Sequence, residues 1–544
     1  MFRVTYRLVF LVCVCAVSVF GQSSADYGIQ WPSTPTIEPG SAADVSGLIE
    51  RPVGAGRPAG IHGFLKTAQD RFEFEDGQGI RFWGLNWPPG QPMPVGEKAA
   101  ELAHRLARQG FNLVRLPLPA AGDSSAAIAF EQFTSCLRGN GIYLDLLLDG
   151  DTNQIARVNA FTGVARRDDA GIALLEFPGA PSTAVAFNRR GWHQPVGVGP
   201  VRNAKEAAAL QTTDFLSQTA EWGRGVPMVK CSGTVFGTMG FGAAANRPHL
   251  IGAWSAVAAN PFRAELPLWT AAIAGFQRWA GVCVAGDAHA TNLDATTPDI
   301  VTWAWAPACA LMFQRGDTTP AKSRMLFRLA SSDEWRAGDE PFAAAAGLGM
   351  ARYTCEIAPT NTMGWLVLGG VGLPGIAAIN PRISDTGEIV HDWRAGQVKI
   401  DSPRTQAVIG FFGNEFAETR DLRLTLTNGV FAAVALTSLD GEPLAKSQRL
   451  LLTATGRADP SGAPRLEPVA GEVTLRWLAP SQHDRKMFAL DLNGHRQKEV
   501  PLTGNGFRLQ PEMNAAWYEI IAEAALPKPA AGKEVKTDKK KSDE

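Results

Sequence analysis

The sequence predicts an α/β chain in which a parallel, helix-covered sheet is followed by an antiparallel β-sandwich. Three observations lead there. Between residues 72 and 328, short apolar strands alternate with amphipathic helices. After about Gly364 the helical pattern stops, and short alternating segments separated by turns take over. Apolar residues make up 45% of the 544, enough for the cores of two domains. Strand, helix and strand in repeated order build a parallel sheet with crossover helices, closed into a barrel or open and doubly wound. No Gly-rich phosphate loop follows the first strand, which argues against a nucleotide-binding sheet.

The elements follow in chain order. Arg3 and Arg7 precede the apolar run 8–20, and Gly21, Gln22, Ser23, Ser24 and Ala25 follow it. Residues 1–25 therefore read as an export signal peptide, too short in its apolar part for the roughly 20 residues of a membrane span. Residues 26–60, rich in Pro, Gly and Ser, read as an extended leader. Asp76-Gly77 between 72–74 and 80–83 signals a hairpin. Residues 97–109 place Ala100, Leu102, Ala103, Leu106 and Ala107 on one helical face, and Gly110 ends the helix. Strands are expected at 111–116, 142–148 and 172–177, with a helix at 130–137. Segments 397–401, 407–412, 422–426, 431–436, 450–455, 473–478 and 517–521 form the expected sandwich. The domains are thus 61–363 and 364–525, with a charged, disordered tail at 526–544.

Composition excludes several classes. With 52 basic against 53 acidic residues, the net charge of −1 gives no electrostatic case for nucleic acid or an anionic membrane as partner. No segment after the signal is long and apolar enough to span a bilayer. Cys136, Cys231, Cys283, Cys309 and Cys355 are widely spaced, with neither a disulfide framework nor a zinc pattern. No cofactor or metal motif is present, and the oligomeric state is not written in the sequence.

The stretches "RFEFEDGQGIRFWGLNW" and "AAELAHRLARQGFNLVRL" resemble the opening of the cellulase-like clan of glycoside hydrolases. "GIYLDLLL", "VNAFTGVARRDDAGIALLE", "NPFRAELPLWTAAIAGFQRW" and "ALMFQRGDTTPAK" are similar to later segments of the same clan, in the same order. "ISDTGEIVHDWRAGQVKIDSPRTQAVIGF" and "TSLDGEPLAKSQRLLLTATGRA" resemble its trailing β-domain. The resemblance implies a TIM (β/α)8 barrel with a C-terminal β-sandwich. It also implies retaining hydrolysis by two glutamates at the tops of the fourth and seventh strands, where such barrels carry their sites.

The residues depart from that pattern at the chemistry. The resemblance implies an acid/base glutamate where this chain has Ala180, and a nucleophile where counting back from Asn260 and Pro261 reaches Trp254. A substrate-holding pair of histidines falls on Pro117 and Leu118. No Glu or Asp occurs in 177–187 or 248–262, so a shift of one or two residues restores neither role. The clan's arginine matches Arg115, whose expected carboxylate partner is missing. Asn86, Trp87, Arg115, Asp149, Trp254, Asp287 and His289 are the expected cleft residues. Trp87, Trp192 and Trp254 offer ring faces on which a sugar stacks. Asp145 and Glu176 fall within strands, below the mouth. Three functions fit: a degenerate hydrolase that binds a polysaccharide, an oligosaccharide or a partner; a hydrolase with relocated acids at Asp149, Asp287 or Glu176; and a structural cell-envelope protein.

Overall fold

The computed structural model describes residues 27–30, 36–47, 58–120, 122–148, 152–178, 192–200, 213–240, 242–286, 299–329, 349–357, 364–368, 379–413, 415–427, 430–478 and 485–523. Eight strands close a parallel barrel: β1 (Phe82–Asn86), β2 (Leu113–Pro117), β3 (Tyr143–Leu147), β4 (Ile172–Pro178), β5 (Val196–Gly199), β6 (Phe215–Trp222), β7 (His249–Ala256) and β8 (Gly281–Ala285). Each pairs with the next, and β8 closes onto β1. Of the two parallel-sheet forms, this is the closed one.

Period-2 alternation explains the interior. Phe82, Tyr143, Phe215 and Leu250 point inward at the floor, and neighbouring strands supply glycines that leave them room. A Cβ on Gly197 would lie 2.2 Å from the Phe215 ring, and one on Gly281 would lie 2.4 Å from Leu250. Below the barrel, Leu65–Ala68, Arg71–Phe74 and Gly79–Ile80 form a small antiparallel sheet. Its Phe72 and Phe74 rings sit 5.9 and 5.1 Å from Phe82 and Tyr143, sealing that end. The hairpin at Gly77 is as expected, but its second strand ends at Ile80. Phe82 and Trp83 belong to β1.

Helices cover the outer face. In α1 (Glu97–Arg108) the buried face is Ala99, Leu102, Ala103, Leu106 and Ala107, so Ala99 takes the place expected for Ala100. The next helix, α2 (Ser124–Gly139), begins earlier than expected because Asp123 caps it, accepting from the Ala126 N–H at 2.9 Å. Then follow α3 (Leu266–Gln277) and α4 (Ile300–Arg315). α4 is buried on all sides from Ile300 to Phe313, and its sequence is correspondingly apolar around the whole circumference. One side meets the barrel, where Trp83 packs 6.3 Å from Phe313. The other meets the β-domain: Trp305 Nε1 donates to Thr455 Oγ1 at 3.0 Å, and Trp517 Nε1 donates to the Ala304 carbonyl at 2.7 Å.

The β-domain is a nine-stranded antiparallel sheet stacked on a five-stranded one. Val434, Leu436, Leu450, Leu452 and Ile520 face the smaller sheet, while Ala433, Ala435, Leu451 and Trp517 join the barrel's helix layer in one core. Central strands such as Ala432–Ser438 are therefore buried on both faces. The described part of the leader is an ordered strap. Ile29–Gln30 pairs with Arg465–Leu466, Glu38 N–H donates to the Asn493 carbonyl, and Val45 N–H donates to the Arg108 carbonyl. It ties the β-domain to α1. No described helix is long and apolar enough to cross a membrane.

Candidate active-site cleft

The polar chemistry of the barrel begins one layer above the aromatic floor. On β2, Leu113, Arg115 and Pro117 share the inward face, which carries the Arg115 guanidinium into the barrel. Gly252 on β7 makes the space, since a Cβ there would lie 3.1 Å from the guanidinium carbon. Arg115 Nη2 and Nε donate to the two oxygens of Glu176 at 2.6 and 3.1 Å, a bidentate pair. Nη1 donates to Asn86 Oδ1 at 2.8 Å. Ser217 Oγ on β6 donates to Glu176 Oε1 at 2.5 Å. Asp145, opposite Arg115 in the β2–β3 register, approaches Nε at 3.4 Å without hydrogen-bonding alignment. The side chains of Asp145 and Glu176 are both 0% exposed.

One guanidinium faces two carboxyl groups, and this decides the protonation. Burial first, and the neighbouring Glu176 second, push Asp145 well above the ordinary carboxyl range, against the pull of Arg115. Burial opposes the charge on Arg115, but Glu176 and Asp145 outweigh it and hold the guanidinium protonated. Burial and the neighbouring carboxyl therefore favour the neutral form of Asp145, while the Arg115 guanidinium stays charged. The Cys283 thiol is pushed up by burial and then by Asp145.

A stability prediction follows. For a carboxyl whose folded pKa is raised, the folded state holds the proton longer than the unfolded chain. Stability then declines as pH rises above the ordinary carboxyl value of about 4, by about 1.4 kcal/mol per pH unit, until the folded pKa is passed. Asp145→Asn keeps the shape and the donor and removes the titration. Thermal melts across pH should show the variant gaining on the parent above about pH 4. Parallel profiles would mean that Asp145 does not hold a proton in the fold.

Above this layer the inward positions at the strand tips are Asn86, Pro117, Leu147, Thr219, Ala253 and Ala285. Register decides one of them. Gln218 pairs with Ile251 but Thr219 pairs with Ala253, so β7 bulges at Gly252. Trp254 consequently lies opposite Ala220 and Val284, on the face that looks toward the helices. Counting residues put Trp254 in the cleft. The extra residue in the bulge turns it outward, and Ala253, half-buried, takes the inward position.

Two further expectations are corrected. Trp87 is fully buried, donates from Nε1 to the Gln91 carbonyl, and packs 5.1 Å from Phe133 of α2, so its ring belongs to the helix layer. Arg115 does have a carboxylate partner, supplied by Glu176 on β4. Trp192 is half-buried against the main core. Ala180, Asp149, Asp287 and His289 lie outside the described residues. Among the described residues, Cys136, Cys283, Cys309 and Cys355 are free thiols. Among the described residues no group of three or more His, Cys, Asp or Glu is placed to hold a metal ion.

The sequence reading missed the sixth strand altogether. In β6, Ser217, Thr219 and Glu221 alternate on the inward face while Gln218, Ala220 and Trp222 look outward, as the burial of Trp222 beside the exposed Glu221 requires. Glu221 pairs with Ser255 of β7 at the rim. The signal for it was present as a period-2 pattern in residues 215–222.

The strand pairing defines the class: a closed (β/α)8 barrel joined to an antiparallel β-domain. No protein-family model matches the chain, and no curated protein matches it. Solved structures resemble it. One is an endo-1,4-beta-mannanase from Rhizomucor miehei, at 12% identity over 43% of this chain and 98% of that one, with a TM-score of 0.34. Another is a beta-glucanase from Saccharophagus degradans, at 14% identity over 46% and 93%, with a TM-score of 0.30. A third is a family 5 glycoside hydrolase from Bacteroides vulgatus, at 9% identity over 87% and 96%, with a TM-score of 0.32. The barrel's closure is read from its own strand pairing, and these likenesses add no argument about activity.

Proposed function

We propose that this chain is an exported glycoside-hydrolase-like protein that binds carbohydrate at the mouth of its barrel without cleaving it by the two-carboxylate route. The observation that carries this reading is the state of the carboxyl groups. Glycoside hydrolysis sets two of them across the scissile bond at roughly 5–9 Å, in reach of substrate. Here Glu176 is saturated by Arg115 and Ser217, and Asp145 is sealed beside it, both beneath the mouth. The inward tip of β7 is Ala253, and Ala180 stands on the sequence after β4. Apolar tip residues with polar neighbours suit the C–H face and hydroxyl edge of a sugar. Export rests on the basic, apolar and small segments of residues 1–25.

The test is a polysaccharide-retardation gel and a reducing-sugar assay on the chain lacking residues 1–25. Retention by at least one neutral polysaccharide with no release of reducing ends is the expected result. Release of reducing ends that disappears in Asp149→Asn or Asp287→Asn would establish relocated catalytic acids and overturn the proposal. Ala180→Glu combined with Ala253→Glu, the register-corrected pair, should create measurable cleavage if the scaffold still presents a glycosidic bond there.

A further inference from the structure

We infer that the floor end of the barrel, opposite the mouth, carries a separate binding site in which Arg81, Arg278, Arg324 and Arg352 take a soluble phosphate-class dianion. The inference is independent of the carbohydrate reading.

The arginines come from distant parts of the chain and meet at one end of the barrel. Arg81 stands immediately before β1, and Arg278 caps the C-terminal end of α3, just ahead of β8. Arg324 and Arg352 open two strands, Arg324–Leu329 and Arg352–Ile357, which pair in parallel with these two residues in register. Asp70, in the turn of the small antiparallel sheet beneath the barrel, lies among them. Arg352 Nη2 is 2.6 Å from Asp70 Oδ2, and Arg278 Nη2 donates to Asp70 Oδ1 at 3.4 Å. Arg81 Nη1 donates to the Phe313 carbonyl at 3.2 Å. Gly316 leaves it room, since a Cβ there would lie 2.6 Å from that nitrogen.

The charge does not balance. Among the described residues, Asp70 is the only carboxylate paired with any of the four guanidinium groups. Arg324 and Arg352 stand side by side on one face of their strand pair, a placement in which like charges destabilise a sheet. Burial lowers the Arg352 pKa, Asp70 pulls the other way, and Arg278 and then Arg324 lower it further. Burial and then Arg278 lower Arg81. A cluster that opposes its own charge and finds one described counter-ion is suited to an anion from solution.

The missing charge sets the class of ligand. Asp70 already supplies the planar, singly charged partner, and it engages Arg278 and Arg352. A phosphate group brings roughly 1.5 to 2 negative charges and oxygens directed out of one plane. The forked N–H groups of arginine match such oxygens. The Arg278 side chain is 42% exposed and Arg324 is half-buried, so both are open to solvent.

The test is calorimetric titration of the chain lacking residues 1–25 with inorganic phosphate and with glycerol 3-phosphate, at constant ionic strength near pH 8. One saturable site is expected. Arg324→Gln should raise Kd about 10-fold, the scale of a lost hydrogen bond to a charged group. In chloride buffer the same variant should melt at or above the parent temperature, because a like-charge contact is relieved. Weaker binding without lost stability is the signature of a ligand site rather than a structural ion pair. Arg278→Gln should also weaken binding, and Arg508→Gln, an exposed change on the β-domain, should not. Absence of a saturable site, unchanged phosphate binding in Arg324→Gln, or equal weakening in Arg508→Gln overturns the proposal. Sedimentation with phosphatidylglycerol vesicles that Arg324→Gln abolishes, with neither soluble phosphate bound, overturns the soluble ligand and assigns the arginines to a lipid headgroup.

Discussion

Arg115→Ala should lower the unfolding free energy by about 3–5 kcal/mol, measured by urea denaturation near neutral pH, because it leaves a charge buried without its counter-ion. Glu176 keeps only the Ser217 hydroxyl once the guanidinium is gone. Gly252 adds to the damage, since the space it provides for Arg115 becomes a void. The remaining carboxylate relieves its burial by taking up a proton, so the deficit should shrink as pH falls toward the ordinary carboxyl value. The double variant Arg115→Ala/Glu176→Gln should recover part of the loss, because the second change removes the stranded charge. A cycle over the two sites should therefore be strongly non-additive. Additive losses would mean that the two groups are not energetically paired, and the orientation of Asn86 would then lack its support.

Trp517→Ala is expected to be comparably severe, at about 3–5 kcal/mol, as for other large-to-small changes in a core. Its ring is fully buried where the nine-stranded sheet meets α4, and its indole N–H is spent on the Ala304 carbonyl. Ala304 lies in the second turn of α4, a helix that is buried between barrel and sheet. The loss therefore falls on both domains at once. The parent should unfold in one calorimetric transition, and the variant should show either a lower single transition or a β-domain step that separates from the barrel. A variant that melts like the parent would mean that the two domains are stabilised independently of this contact. The other contacts between them, Trp305 with Thr455 and Phe262 with Phe411 and Phe431, would then carry the tie.

The legible part of this protein was the part set by neighbours in sequence. The hairpin at Asp76-Gly77 follows from local turn chemistry. α1 follows from the spacing of Leu102, Ala103, Leu106 and Ala107, and its end from Gly110. The change from alternating helices and strands to strands alone marks the two halves. The leader was harder to read, because its order comes from partners such as Asn493, more than 400 residues away.

The site divides along the same line. The sequence by itself determined that no carboxylate occupies the segments 177–187 and 248–262, and that a barrel and a β-domain follow one another. Only the tertiary structure decided which way each side chain faces. The extra residue at Gly252 turns Trp254 toward the helices and Ala253 inward. The closure of the barrel brings Glu176 to Arg115 across 61 residues of chain, and alternation along β6 lifts Glu221 to the rim. The physical reason is that strand registers and bulges are settled by pairing between distant segments. A single inserted residue there reverses every orientation beyond it, and no local pattern in the sequence records the change.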